Sequence, residues 1–202
     1  MPNAETRYTV YPIPPVPGQH HIVQYKDLRL QAIQTDRHHF TSSYEREASL
    51  TYEQWKARLQ SREKTTIVAA ASFQSSERLS WQHKWVGMVT VIGPKILKKF
   101  GFKPPRSVTG CGVCYCFVGV WVDPSHRGKG LGKEMILSGL DWIRADDVSD
   151  SGVEKRTLLL QVTQGNHPAI GLYSAMGFRL LEAEDGLEEN LWMSMELGVK
   201  PV

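Results

Sequence analysis

Apolar positions along the chain follow two periods, and the change from one to the other falls near residue 123. Val118, Val120 and Val122 alternate with Gly119 and Trp121, the two-residue period of a β-strand, and Asp123-Pro124 ends it. From Leu131 onward the period lengthens. Leu131, Met135, Ile136, Leu140 and Ile143 recur at helical spacing with Lys133, Glu134, Ser138, Asp141 and Arg144 opposite them, which predicts an amphipathic helix lying on a sheet. Gly128, Gly130 and Gly132 stand between the two elements. Glycines permit positive φ and a close backbone approach, and the helix they open aims unpaired N–H groups and its positive dipole end at whatever sits there. The stretch reads as an anion cradle, with phosphate as its natural occupant.

The same patterns organise the rest of the chain. Met1 to Gly18 holds five prolines among short apolar residues and predicts an extended, loosely packed arm, with one edge strand around Arg7 to Tyr11. Val23, Leu28, Leu30, Ala32 and Ile33 allow a helix that Thr35-Asp36 breaks. Thr51, three residues ahead of Gln54, forms a capping box for a second helix carrying Trp55 and Leu59. Thr65 to Phe73 and Lys84 to Ile92 are rich in Val, Ile, Ala and Thr and predict an antiparallel hairpin. Arg156 to Thr163, Phe178 to Glu182 and Leu191 to Leu197 read as further strands, with a helix opening at Asn166 and an acidic turn over 184–189.

Length and composition narrow the class. With 202 residues and 41% hydrophobic content the chain can bury a full core, and one domain after the arm, over residues 19–202, is expected. A net charge of +3 is too mild to call for nucleic acid. No apolar run reaches spanning length and the N-terminus lacks a continuous apolar leader, so the expectation is a cytoplasmic protein without membrane association. Cys111, Cys114 and Cys116 invite a zinc or redox reading, but no second Cys or His pair follows at zinc-finger spacing. Buried strand cysteines are expected instead, and their odd number argues against a disulfide framework.

Two phosphate-binding motifs fail on the glycine stretch. A Walker loop needs a hydroxyl after its lysine, where Lys133 is followed by Glu134. The dinucleotide fingerprint needs Gly-x-Gly-x-x-Gly in the first βα unit, not Gly128-x-Gly130-x-Gly132 past mid-chain. The run Arg127-Gly-Lys-Gly130-Leu-Gly132 instead resembles the acyl-coenzyme A signature of the Gcn5-related N-acetyltransferases (the GNAT superfamily), Arg/Gln-x-x-Gly-x-Gly/Ala after a hydrophobic strand. Asn166-His-Pro-Ala169-Ile-Gly-Leu-Tyr173-Ser-Ala-Met-Gly177-Phe178 resembles the same family's Asn-x-x-Ala-x-x-Leu-Tyr-x-x-x-Gly-Phe segment. Local physics agrees, since Asn166 suits an N-cap, Pro168 the first helical turn and Gly177 the position past the helix end.

The resemblance implies an α/β fold whose central, mostly antiparallel mixed sheet is splayed at the cofactor site and flanked by helices. It implies that backbone groups of Val120, Trp121 and Val122 bind the acyl and pantetheine portion of acetyl-coenzyme A, a co-substrate used without a metal. The N–H groups of Arg127, Gly128, Lys129, Gly130, Leu131 and Gly132 would hold the pyrophosphate, with Arg127 and Lys129 adding charge. Tyr173 matches the family's frequent general acid, and Asn166 is either a pantetheine contact or a helix cap. The implied reaction is direct N-acetyl transfer, in a ternary complex, to a primary amine on a small molecule or peptide. A non-catalytic acyl-coenzyme A binding module is the alternative, and homodimers are common in the family.

The general base is open. The strand from Val113 to Val122 lacks the glutamate that some family members place there, leaving Glu45, Glu47, Tyr115 and His83 as candidates, or a water chain. Cys114 or Cys116 as an acyl-carrying nucleophile is the covalent alternative. The linker from Arg37 to Glu47 resembles a region that borders the acceptor pocket in bacterial-type members, so it is either a segment whose polar groups touch substrate or a solvated helix–helix loop with His38 and His39 exposed. The stretch from Gly93 to Val108, with Lys95, Lys98, Lys99, Lys103 and Arg106, is either a solvated connection or a loop that closes over the site and favours an anionic acceptor.

Overall fold

In the computed structural model, which describes residues 6–74, 81–108, 112–146, 155–182 and 189–198, the strand-forming segments join in one sheet. Its strands are Arg7–Pro12 (β1), Lys64–Gln74 (β2), Trp81–Ile92 (β3), Val113–Val122 (β4), Lys155–Thr163 (β5), Arg179–Leu180 (β6) and Asn190–Gly198 (β7). The described helices are Gln19–Thr35 (α1), Tyr44–Ala48 (α2), Tyr52–Leu59 (α3), Pro94–Lys99 (α4), Leu131–Ala145 (α5) and His167–Ala175 (α6). The strands lie in the order β1-β2-β3-β4-β5-β7-β6, and among the described strands the β4 and β5 pair alone is parallel, the two strands being joined through the crossover helix α5.

The composition of β2 accounts for its central place. Ile67, Ala69 and Ala71 face a core shared with Met135, Ile136, Leu140 and Ile143 of α5, while Val68 and Ala70 face a second core with Ile22, Leu28, Trp55 and Leu59 of α1 and α3. A strand apolar at successive positions is buried on both sides. Fully burying each α5 side chain contributes ~1.5–3 kcal/mol, against propensity differences of up to ~0.7 kcal/mol per residue, so packing decides where α5 sits.

Three local expectations change. The N-terminal strand is not loose, because all of Arg7–Pro12 pairs with β2 and Ile13 reaches the second core. Within the basic stretch, Pro94 opens the short helix α4, and Leu97 packs on Cys116 and Leu159 with Phe102 and Trp192 against them. Its cations dominate the sequence there, but its apolar residues anchor it. Cys116 is buried and free as expected, whereas Cys114 is disulfide-bonded, and Cys111 lies outside the described residues. The acidic turn over 184–189 also lies outside them, apart from Glu189. No helix among the described residues is long and apolar enough to cross a membrane.

Two irregularities in β4 prepare the site. Its register against β3 slips between the pairs Met88 with Trp121 and Thr90 with Val118, and Gly119 there takes φ 64°, so β4 carries a bulge that bends the strand. Its pairing with β5 runs from Val113–Arg156 to Phe117–Leu160, and past that point the described strands part.

Candidate active site

A cavity of about 560 Å³ opens on one side of the parted strands. Val120, Trp121, Val122, Arg127, Gly128, Gly130, Leu131, Gly132, Asn166 and Tyr173 all line it, so ten of the predicted site residues are brought together. Lys129 is exposed and does not line it.

The cradle itself is backbone. Gly128 and Gly130 have φ of 73° and 80°, and a Cβ added at either would meet nothing within 4 Å, so the main chain faces open space. Gly130 is the N-cap of α5, and the N–H of Glu134 makes the first intrahelical bond to its carbonyl at 3.0 Å. The N–H groups of Leu131, Gly132 and Lys133 precede that bond and have no carbonyl within the helix. Donors without overlying side chains at a positive helix end fit a pyrophosphate. Gly132 has another duty: a Cβ there would stand 3.1 Å from Leu172 Cδ2, so it lets α5 and α6 approach.

Arg127 does not reach outward. Its Nε donates to the Val122 carbonyl at 2.9 Å and its Nη2 to the Asp36 carboxylate, which also accepts from Trp121 Nε1 at 2.6 Å. Asp36, at the end of α1, therefore ties the strand end and the glycine turn to the N-terminal helices. One step along, Asp123 accepts from Gln31 Nε2 at 2.8 Å and from Ser125. Burial works against the Asp123 charge, but these hydrogen bonds outweigh it and hold its pKa below the usual value. Asp36 carries no sequence signal, because its partners Trp121 and Arg127 are remote in the chain, and for Asp123 only the local Ser125 contact could be read, not Gln31.

A second cavity, of about 400 Å³, lies across the splay, bounded by α1, the turn after it, the end of α3, the start of β2 and the strands β3, β4, β5 and β7. His39, Phe40, Val120, Asn166 and Tyr173 line both cavities, which meet there. Tyr173 is 5% exposed and packs edge-on to Phe178 at 6.1 Å. Burial pushes its pKa up, so the hydroxyl is protonated at neutral pH. Asn166 Oδ1 accepts the Ala169 N–H at 3.2 Å, so the cap exists and the same side chain also borders both cavities.

None of the four predicted bases lines either cavity. Glu45 is exposed, Tyr115 donates to Asp146 Oδ2 at 2.8 Å, and His83 bonds Ser72 Oγ at 2.7 Å. Glu47 is buried under Arg29 and Arg58. Burial disfavours its charge, yet the hydrogen bonds from Arg29, with further help from Ser42 and Arg58, keep its pKa below the ordinary glutamate value. His39 is the imidazole at the junction, delivered by the single turn Arg37–His39, in the linker that the sequence left open between bordering the acceptor and being solvated. Cys116 lines the second cavity, but burial pushes its thiol up to about 12, which keeps it from being a thiolate. No residue between 93 and 108 lines either cavity.

A glycine cradle and a separate pocket thus adjoin at a bulged, splayed strand pair on a mixed α/β sheet. The sequence profile of the acetyltransferase (GNAT) family matches residues 30–178, and the chain belongs to that family. Mycothiol acetyltransferase of Thermobifida fusca is 40% identical over 65 residues, 32% of this chain and 18% of that protein. The enzyme of the same name from Saccharomonospora viridis is 33% identical over 95 residues, 47% and 26% of the two chains. The chain thus matches about a fifth to a quarter of these relatives' lengths. Among solved structures, a GNAT-family acetyltransferase from Streptococcus pneumoniae superposes with a TM-score of 0.61 at 16% identity, covering 95% of this chain and 100% of the other. Arabidopsis thaliana NAA60, solved with a bisubstrate analogue, gives 0.59 at 16% with the same coverage. At such identities the structural likeness establishes the fold.

Proposed function

We propose that the chain transfers an acetyl group from acetyl-coenzyme A directly to a primary amine, with both substrates bound together. The observation that carries this reading is a buried, protonated Tyr173 hydroxyl where the glycine-lined cavity meets the second one. The coenzyme supplies the activated thioester. The N–H groups from Gly128 to Gly132 hold its pyrophosphate, and because β4 parts from β5 beyond Phe117, the backbone edge of Val120 to Val122 on that side, apart from the Val122 carbonyl held by Arg127, is left for the pantetheine arm and for charge developing on the acyl oxygen. The amine reaches the carbonyl through the second cavity. As the C–N bond forms and the C–S bond breaks, the proton lost by nitrogen passes to His39 and the Tyr173 hydroxyl protonates the departing sulfur. Both residues return to their starting state through solvent.

The donor-side test is thiol release from acetyl-coenzyme A against pooled amines, amino acids and peptides, with calorimetric binding of the coenzyme as control. Binding and amine-dependent release are expected. Failure to bind acetyl-coenzyme A overturns the reading, and binding without amine-dependent release from any pool favours the non-catalytic module.

A further inference from the structure

The second cavity has an unusual charge balance. Three cationic side chains, Arg29, Arg58 and Lys64, line it, and among the described lining residues there is no aspartate or glutamate. The counter-charge to both arginines is Glu47, a buried carboxylate that they share. Arg29 Nε and Nη2 donate to its two oxygens at 3.1 and 3.0 Å, and Arg58 Nη1 donates at 2.9 Å. Three cations set against one carboxylate leave a surplus of two positive charges.

The geometry keeps that surplus at the cavity. Arg29 is clamped between the Phe40 ring, 4.7 Å from its guanidinium carbon, and the bulge, where a Cβ on Gly119 would stand 3.0 Å from Nη1. Arg58 lies over the Trp55 ring at 5.0 Å. Lys64 Nζ donates to the Ala57 carbonyl at 3.2 Å, a neutral partner that leaves the ammonium charge uncompensated. Burial, and then repulsion from Arg58, hold the Lys64 pKa below its usual value, as expected of cations waiting for an anion.

We infer that the second cavity takes a small primary amine that also carries a carboxylate or phosphate, the anionic group seating against Arg58 and Lys64 while the amine points toward Tyr173. This rests on the acetyltransferase reading and names its acceptor class. A polyamine or an aminoglycoside-like polycation would bring like charge to a surplus of the same sign. An amine with its own anion cancels that surplus, and forked guanidinium with ammonium suits carboxylate or phosphate oxygens. A volume of about 400 Å³ accommodates a metabolite-sized molecule. The site is fixed by side chains that meet only in the folded chain, since Arg29 comes from α1, Arg58 from α3 and Lys64 from β2.

The test uses the full chain with saturating acetyl-coenzyme A and three matched acceptor sets: α- and ω-amino acids, their carboxamides, and aminoalkyl phosphates, with spermidine as the polycation. Acids or phosphates are expected to exceed carboxamides and spermidine at least tenfold in kcat/KM, and the stronger arm identifies the anion. Lys64→Met keeps the aliphatic stem and is expected to bring the acid-to-amide ratio close to one, with Lys64→Arg restoring it and coenzyme binding unchanged in both. Equal turnover of acids and amides, or a ratio indifferent to Lys64→Met, overturns the inference. A direct readout covers the case of a silent panel: with coenzyme A bound, N-acetylated amino acids should bind more tightly by calorimetry than their amides. Absent or equal binding there sinks the anion site while leaving the donor site intact, whereas failure to bind acetyl-coenzyme A brings down both readings.

Discussion

The two cavities that meet at Tyr173 are built from different materials. The glycine-lined cavity takes its central feature from backbone in one run of chain, the strand end and glycine turn between Val120 and Gly132. The second cavity takes its character from side chains on α1, the following turn, α3, β2 and four more strands. A backbone site constrains conformation, and conformation constrains residue type, so the site leaves glycines at fixed spacing. A side-chain site constrains only what arrives at one point in space. The first suits a ligand that does not change, and the second can be rebuilt for a new acceptor without touching the cradle.

That contrast breaks most readily at the shared residue. Tyr173→Phe is expected to lower kcat by ~10²-fold, the lower range for loss of a positioned proton donor, with acetyl-coenzyme A binding unchanged. A variant that turns over like the wild type across pH removes Tyr173 as the acid. Its hydroxyl would then be a packing feature of the core around Phe178.

Gly130→Glu should act on the donor side alone. A side chain at φ 80° costs ~1–2 kcal/mol, and its carboxylate would face the phosphate position. Coenzyme affinity should fall about thirtyfold, equivalent to ~2 kcal/mol, measured by calorimetry. Acceptor preference should stay as it was. Unchanged affinity would mean that the open space beside Gly128 and Gly130 is not where the phosphates lie.

The same contrast explains what could be read from sequence. Valine alternation from Val118 to Val122, the helical period of α5 and the Thr51 capping box each rest on neighbours in the chain, and each produced its element. The Tyr173 helix followed from the second of two ordered motifs, whereas the parallel pairing of β4 with β5 was not read from either. The bulge escaped notice because Gly119 reads as one member of an alternating strand until its partner strand shows the register slip. Asp36 and the pairing of Glu47 with Arg29 and Arg58 escaped for a stronger reason: their partners are set by how α1, α2 and α3 pack, and no local period records that. Arg127 shows the limit from the other direction. Its motif position suggested a phosphate contact, whereas its side chain is occupied by Asp36 and the Val122 carbonyl.

Glu47 sharpens the acceptor side through stability. Replacing it with Gln leaves two arginines without their anion, and loss of charged hydrogen bonds of this kind costs about 1.5 kcal/mol, the lower end because both guanidiniums keep some water. The sign of its pH dependence follows from a folded pKa below the ordinary 4.5: the contribution is complete above that value and lost as the pH falls through the lower folded one. Thermal melts of the wild type should therefore lose stability below about pH 4.5 more steeply than those of Glu47→Gln. Parallel curves would mean that the arginines do not depend on Glu47.

The smallest effect is expected at Cys116, the residue that would turn direct transfer into covalent carriage. Its thiol lies in the wall of the second cavity, but a pKa pushed up to about 12 leaves almost no thiolate at neutral pH. Its surroundings include Leu97 and Leu159, which offer no base. Cys116→Ala should then leave kcat within about twofold, under ~0.5 kcal/mol on the barrier, with steady-state lines that still intersect when both substrates are varied. If the variant loses turnover while the wild type shows a burst of thiol release without acceptor, the acetyl group passes through sulfur. Tyr173 would then serve the first half-reaction only, and the acceptor cavity would meet an acyl-enzyme instead of the coenzyme.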